Sequence, residues 1–106
     1  SAGQRLLFVS GTPGVDPETG ELAEDFETQA DLAWRNVVAA LTAANMTVEN
    51  IVKLSQHISR REDLVAFREI RTRHLGEHRP ASMLTLFSGL VWPEMLIEIE
   101  VVAAGN

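Results

Sequence analysis

Hydrophobic residues in this chain recur at every second position in some segments and at every third or fourth position in others, and the order of these segments constrains the fold. A short apolar run followed by Gly11 predicts a strand at Arg5–Ser10, and alternation predicts one at Ile51–Ile58. Two later stretches, which read ASMLTLF and MLIEIEVVA, are also predicted to be strands. Helical spacing predicts an amphipathic helix from about Asp25 to Ala44 and a second helix within SRREDLVAFREIRTRHL. The sequence therefore predicts the α+β class, with a mixed sheet and two helices packed on one face, in a single domain spanning 1–106.

Turn formers and polar residues mark where these elements end. The segment GTPGVDPETGEL predicts a loop with a hairpin bend between the first strand and the first helix. Asn45 can adopt the left-handed conformation that ends the first helix. Ser59 and Glu62 have capping-box spacing before the second helix, which we expect to break at Gly76.

The last predicted strand has two different faces. One face is apolar and is expected to meet the helices: Ile97, Ile99, Val101 and Ala103. The opposite face is mixed: Leu96, Glu98, Glu100 and Val102. We expect Leu54 and Ile58 of the second strand to lie on this same uncovered side. The exposed apolar patch would then be too large for a monomer, so we predict self-association that buries it.

Composition excludes several kinds of chemistry and location. The chain of 106 residues has no cysteine, which excludes disulfides, thiolate zinc sites and a cysteine nucleophile. No apolar run approaches the roughly 20 residues that a membrane span needs. The start, SAGQRLLFVS, lacks the features of a secretory signal. We therefore expect a cytoplasmic protein without a membrane partner.

Charge argues against a function that depends on binding nucleic-acid phosphates, since the net charge is −6. The charge is uneven, however, because the segment 60–79 holds six of the nine basic residues and only four acids. His74 and His78 lie four residues apart, as metal ligands on a helix do. No third ligand is evident, so we expect solvated histidines and no metal.

Five segments follow one another along the chain: LLFVSGTPGVDPETGEL, QADLAWRNVVAAL, ANMTVENIVKLSQHI, RPA and LIEIEVVAA. Together they closely resemble the Rid family of reactive-intermediate deaminases, also called YjgF-type proteins. The resemblance covers the chain from Leu6 onward. It implies a chorismate-mutase-like subunit and a homotrimer whose sheets line a central barrel, with ligand clefts between subunits. It also implies hydrolysis of enamines and imines such as 2-aminoacrylate to 2-keto acids and ammonia, without metal or organic cofactor.

Such a reaction needs a cation for the substrate carboxylate and an acid that orients the attacking water. The resemblance implies that Glu98 is this acid. The family's carboxylate-binding arginine lies in a Pro-Ala-Arg-Ser stretch, whereas this chain has Ser82 in the arginine's place. Losing a hydrogen bond to a charged group costs about 1.5–3 kcal/mol. We therefore expect deaminase activity to be altered or lost.

Other residues are candidates for binding the substrate. Arg79 lies three positions before Ser82, and Arg68 matches a helix position that faces the cleft in the family; either could replace the lost cation, or both could be solvated. A smaller or uncharged ligand would need no such anchor. Ser10 and Gly11 match the family's Ser-Gly stretch, whose backbone shapes the pocket, although Ser10 could simply be a strand-end hydrogen bonder.

Loop and helix residues complete the set of candidates. Trp92 could floor a small hydrophobic pocket or pack its own loop. Gln29 and Asn36 are predicted to hydrogen-bond from the first helix to a loop. The chain has no tyrosine, unlike the family's deaminases, in which a tyrosine of an N-terminal strand closes the cleft.

Three functions remain open from the sequence. The first is a cofactor-free deaminase with altered substrate preference, and the second is a module that binds a small metabolite without turnover. The third is the ribonuclease activity attributed to some relatives. It is the least expected, because the chain is acidic and its basic segment has no interleaved aromatic residues of the kind that stack on RNA bases.

Overall fold

The computed structural model describes residues 3–106, which include four strands and two α-helices. The elements are β1 (Arg5–Pro13), α1 (Phe26–Ala43), β2 (Ile51–Ile58), α2 (Leu64–Leu75), β3 (Ala81–Leu86) and β4 (Ile97–Gly105). Short 3-10 helices, Val48–Asn50 and Arg61–Asp63, precede β2 and α2. The predicted α+β class is therefore confirmed. Within the described range, neither helix combines the length and the apolar character that a membrane crossing requires.

The strands form one mixed sheet in the order β1-β4-β2-β3. β4 pairs antiparallel with both β1 and β2, whereas β2 pairs parallel with β3. Parallel neighbours need a crossover, and α2 supplies it, so α2 runs antiparallel to β3. β1 continues three residues beyond its predicted end, with a register shift between Val9 and Thr12. The predicted hairpin bend follows it, closed by the isolated pair Val15 and Leu22.

Both helices lie on one face of the sheet, and the hydrophobic core lies between the helices and the sheet. The apolar face of β4 is buried as predicted: Ile97, Ile99, Val101 and Ala103 are at most 1% exposed. α1 begins at its N-cap Asp25, whose Oδ2 accepts a 3.0 Å hydrogen bond from the Thr28 amide. It is followed by Asn45 at φ 58°, which confirms the predicted left-handed residue. α2 ends at Gly76, also as predicted.

The start of α2 differs from the prediction. Ser59 and Glu62 do not form a capping box. Instead, Arg60 and Asp63 form an ion pair with Nε to Oδ2 at 2.8 Å across the preceding 3-10 helix. The bidentate contact between these two residues stabilises a tight turn there, so the α-helix begins one turn later.

The side of the sheet away from the helices, called the open face below, is built from other residues than predicted. The expectation for Leu54 and Ile58 was wrong: they pair with Val101 and Ile97 and are buried in the core at 0% and 2% exposure. A register shift after Ile51 interrupts the alternation of β2, and this hides the correct face from a sequence pattern. Leu96 was also misplaced, because it packs against the edge of the core.

The open face is nevertheless apolar in part. Leu6, Phe8 and Met83 project from it and are 68%, 64% and 54% exposed. Glu98 and Glu100 alternate with the buried residues of β4 and so share this face, as predicted. The chain therefore presents a sheet surface on which large hydrophobic side chains lie beside two carboxylates.

Candidate active site

Glu98 is half-buried on the open face and lies against the backbone of β1. A Cβ atom at Gly11 would lie 2.7 Å from the Glu98 Cδ atom, so a larger residue there would displace the carboxylate from this position. Ser10 precedes Gly11 and lines a shallow cavity of about 270 Å³ with Phe8 and Glu100. The structure thus brings Glu98, Gly11 and Ser10 to one region of the open face.

His57 is the cross-strand neighbour of Glu98, and sequence reasoning did not select it. The two residues are direct partners in the β2–β4 pair, so their Cβ atoms lie roughly 5 Å apart. The imidazole stacks on the Phe87 ring, with centroids 5.0 Å apart and planes within 6°. Its Nδ1 atom is buried and has no hydrogen-bond partner among the described residues. The sequence did contain a signal for this position: His57 is titratable, and alternation places it on the same face of β2 as Lys53 and Ser55.

Ser82 lies on the other face of the sheet. It pairs with Leu54, which points to the helices, and its Oγ accepts a 2.9 Å hydrogen bond from Gln56 Nε2. Gln56 is fully buried and also donates to the Met83 carbonyl at 2.9 Å, which ties the edge strand β3 to the core. A polar residue on an apolar strand face was the sequence signal for this tie. Within one chain, Ser82 and Glu98 are separated by the sheet and cannot contact the same ligand.

The two candidate replacement arginines differ in their surroundings. Arg79 folds onto its own loop, since Nη1 donates to the carbonyls of Gly76 and His78 at 2.6 and 2.9 Å. Arg68 is exposed on α2, and no ion pair joins it to another described residue. Arg79 is therefore committed to local contacts, whereas Arg68 remains available to an anion.

A groove separates α2 from β3 on the helix side of Ser82, and it is called the α2–β3 groove below. Its cavity of about 140 Å³ is lined by Ile58, Arg61, Leu64, Leu84 and Leu86. Because β3 is an edge strand, one side of this groove is open. It offers an apolar floor beside Arg61, a basic residue of the 3-10 helix that precedes α2.

Trp92 lies apart from the other predicted site residues. It is 54% exposed and lines a cavity of about 510 Å³ with Leu22, Ala23 and Glu24. Gln29 fixes the walls of this cavity, because its Nε2 donates to the carbonyls of Ala23 and Glu94 at 2.8 and 2.9 Å. This confirms the helix-to-loop role predicted for Gln29.

Asn36 lies seven residues further along α1 and confirms the same prediction, because its Nδ2 donates to the Val15 carbonyl at 2.8 Å.

His74 and His78 were predicted to be solvated, and this prediction was wrong. His74 is half-buried with Nε2 2.8 Å from Asp31 Oδ1, and His78 Nε2 lies 2.9 Å from the Ile51 carbonyl. Among residues 3–106, no group of three His, Asp or Glu side chains is arranged to hold a metal ion.

Comparisons with known proteins agree with this architecture. The family model described as Endoribonuclease L-PSP matches residues 2–105. A RutC family protein of Pyrococcus horikoshii is 31% identical over 92% of this chain and 78% of its own length. The 2-iminobutanoate/2-iminopropanoate deaminase of Salmonella typhimurium is 32% identical over the same shares of the two chains. The crystal structure of Escherichia coli TdcF with bound serine superposes with a TM-score of 0.89 at 29% identity, covering 100% of this chain and 84% of that one. The chain therefore belongs to the Endoribonuclease L-PSP family, which is also called the YjgF/RutC/Rid family.

Proposed function

We propose that three copies of this chain form a homotrimer whose inter-subunit clefts hydrolyse small imines or enamines to 2-oxo acids and ammonia. One observation carries the proposal: Glu98 and Ser82 lie on opposite faces of the same sheet. A cleft that contains both must take the open face of one subunit and the β3 edge of another. A relative of this chain is named a 2-iminobutanoate/2-iminopropanoate deaminase, which supports the same reaction class.

The open face supports association of the subunits. Leu6 and Phe8 are 68% and 64% exposed there, next to the carboxylates of Glu98 and Glu100. Burying this surface against other copies gains roughly 25 cal/mol for each Å² of apolar area removed from water. Glu98 then lies at a seam between subunits, where a ligand can reach it, and Glu100 contributes to the contact between subunits.

Glu98 has the position and chemistry of a general base. Its carboxylate accepts a proton from water as the water oxygen attacks the imine carbon, and the protonated Glu98 returns this proton to the imine nitrogen. Glu98 then moves the hydroxyl proton of the carbinolamine to its amino group in the same way, so the C–N bond breaks, ammonia leaves and a C=O bond forms. The absence of a side chain at Gly11 leaves room for the carboxylate against the backbone of β1.

The presence of Ser82 instead of an arginine predicts slow turnover of the substrate, and it also supports a second candidate function. A hydroxyl that accepts a hydrogen bond from Gln56 brings no positive charge to the substrate carboxylate. The chain would then be a binding module that holds a small metabolite without turning it over. The two functions differ in whether ammonia is released.

Release of ammonia and 2-oxo acid from imines generated in solution tests the proposal. We expect slow release by the native chain and a gain of at least tenfold in Ser82→Arg, because the arginine restores a bidentate contact. We expect Glu98→Gln to reduce both rates about a hundredfold or more.

Glu100→Gln is the matched control, since it makes the same change on the same strand and face. If neither the native chain nor Ser82→Arg released ammonia, the result would favour the binding module. Equal losses in Glu98→Gln and Glu100→Gln would contradict the role of Glu98.

A further inference from the structure

Arg71 is a cation in an unusual environment. Its side chain is half-buried, and its guanidinium lies over the Phe67 ring, 5.3 Å from the centroid. No ion pair joins it to any other described residue. Burial, and then repulsion from Arg79 and Arg68, lowers the pKa of Arg71, although an arginine stays protonated at neutral pH. A partly desolvated charge of this kind is stabilised by an anion.

Helical geometry places Arg71 beside the α2–β3 groove. Leu64, Arg68, Arg71 and Leu75 are spaced by four, three and four residues, so they form one stripe along α2. Leu64 lines the groove with Leu84 and Leu86. The stripe therefore continues along the edge of β3.

The register of this stripe brings Arg71 to the level of Ser82. Arg71 lies about 10 Å along the helix from Leu64. Ser82 lies roughly 7 Å along β3 from Leu84 and 13 Å from Leu86, in the same direction because α2 and β3 are antiparallel. Ser82 is exposed and has a short side chain, so it does not fill the surface between β3 and the stripe of α2.

We propose that Arg71, with Arg68 beside it, binds the carboxylate of a small 2-oxo or 2-imino acid in place of the arginine that Ser82 replaces. The proposal deepens the proposed function and rests on it for the identity of the ligand. The contact with the Phe67 ring restrains the Arg71 guanidinium, and a guanidinium can bind a carboxylate through two nitrogens. Arg79 is unsuited to this role because its Nη1 is already bonded to two carbonyls.

Binding of 2-oxobutanoate, measured by calorimetry on the full chain without turnover, tests the proposal. We expect Arg71→Gln to weaken binding at least tenfold. Arg73→Gln is the matched control, because Arg73 is exposed on the same helix about 200° around the axis from Arg71. It should change binding less than twofold.

Two further variants sharpen the test. Arg71→Lys keeps the charge over Phe67 without the planar fork, so its affinity should fall between those of the native chain and Arg71→Gln. Adding Ser82→Arg to Arg71→Gln should restore binding, since it returns a cation to the same end of the groove. Both results would support the proposal even if no ammonia were released from any imine, so a failure of the deaminase hypothesis is distinguishable.

Several results would overturn the inference. One is the absence of saturable binding of 2-oxobutanoate to the native chain. Another is an equal loss in Arg71→Gln and Arg73→Gln. A third is tighter binding of inorganic phosphate than of 2-oxobutanoate, because the site would then not be selective for carboxylates.

Discussion

Single residues in this protein hold distant parts of the chain in place through buried polar contacts. Gln29 is fully buried and bonds three loop groups at once: the carbonyls of Ala23 and Glu94 and the amide of Leu96. Gln56 plays the same part between β2 and β3. In both cases the amide side chain replaces water as a partner for groups that folding removes from solvent.

Replacing Gln29 by alanine should therefore destabilise the protein strongly. The change leaves buried donors and acceptors without partners, at about 1–3 kcal/mol for each, so we expect a loss of at least about 2 kcal/mol in the free energy of unfolding. Urea denaturation measures it. Gln4→Ala is the control, because the same substitution at this exposed position should change stability by less than about 0.5 kcal/mol. Similar losses in the two variants would show that the Gln29 contacts contribute little.

Helices and strands begin and end where a side-chain hydrogen bond or a change in backbone conformation interrupts the regular hydrogen-bonding pattern. The α1 helix illustrates this at both ends, with Asp25 as its N-cap and Asn45 in the left-handed region after it. Hydrogen bonds from the Thr28 side chain and then the Thr28 amide lower the pKa of Asp25 below its usual 3.8. The native state therefore binds a proton at this carboxyl less readily than the unfolded chain does.

This shift predicts a specific dependence of stability on pH. A carboxyl whose pKa is lowered by folding stabilises the protein fully above its unfolded value, and the contribution is lost as the pH falls through the folded value. We expect the native chain to melt at a higher temperature than Asp25→Ala at pH 7, and the difference to shrink once the pH drops below 3.8. Calorimetry across this range measures it, with the exposed Glu69→Ala as control. A difference that stayed constant down to acidic pH would contradict the assignment.

The whole molecule is divided by its sheet into two functional sides. Glu98, Gly11 and His57 lie on the open face, whereas Ser82 and the α2–β3 groove lie on the helix side. Under the proposed function, one chain would carry two half-sites that point away from each other. Association of copies in the proposed trimer would then join unlike halves and complete each cleft.

A charge on the open face should break the proposed trimer. We expect sedimentation to find three chains per particle for the native protein and mainly single chains for Phe8→Glu, because burying the new carboxylate is costly. Val65→Glu is the matched control: Val65 is 67% exposed against 64% for Phe8, but it lies on α2. Its variant should remain a trimer. A native chain that sediments as a monomer, or equal dissociation of both variants, would contradict the proposal.

The sequence by itself determined the local pattern of this protein. Sequence patterns located the four strands and both α-helices, because side-chain spacing of two or 3.6 follows directly from backbone geometry. Alternation also identified the inner face of β4. These features depend on residues close together in the chain, or on a face that one clean alternation defines.

Only the tertiary structure decided which face of β2 is buried and where the half-sites lie. The register shift after Ile51 places Leu54 and Ile58 in the core, and the apolar pattern of β2 alone does not show which of its faces meets the helices. The role proposed for Arg71 depends on where β3 lies relative to α2, and the sequence pattern of α2 does not show this. Register and crossover geometry join residues far apart in sequence, and no local pattern contains that information.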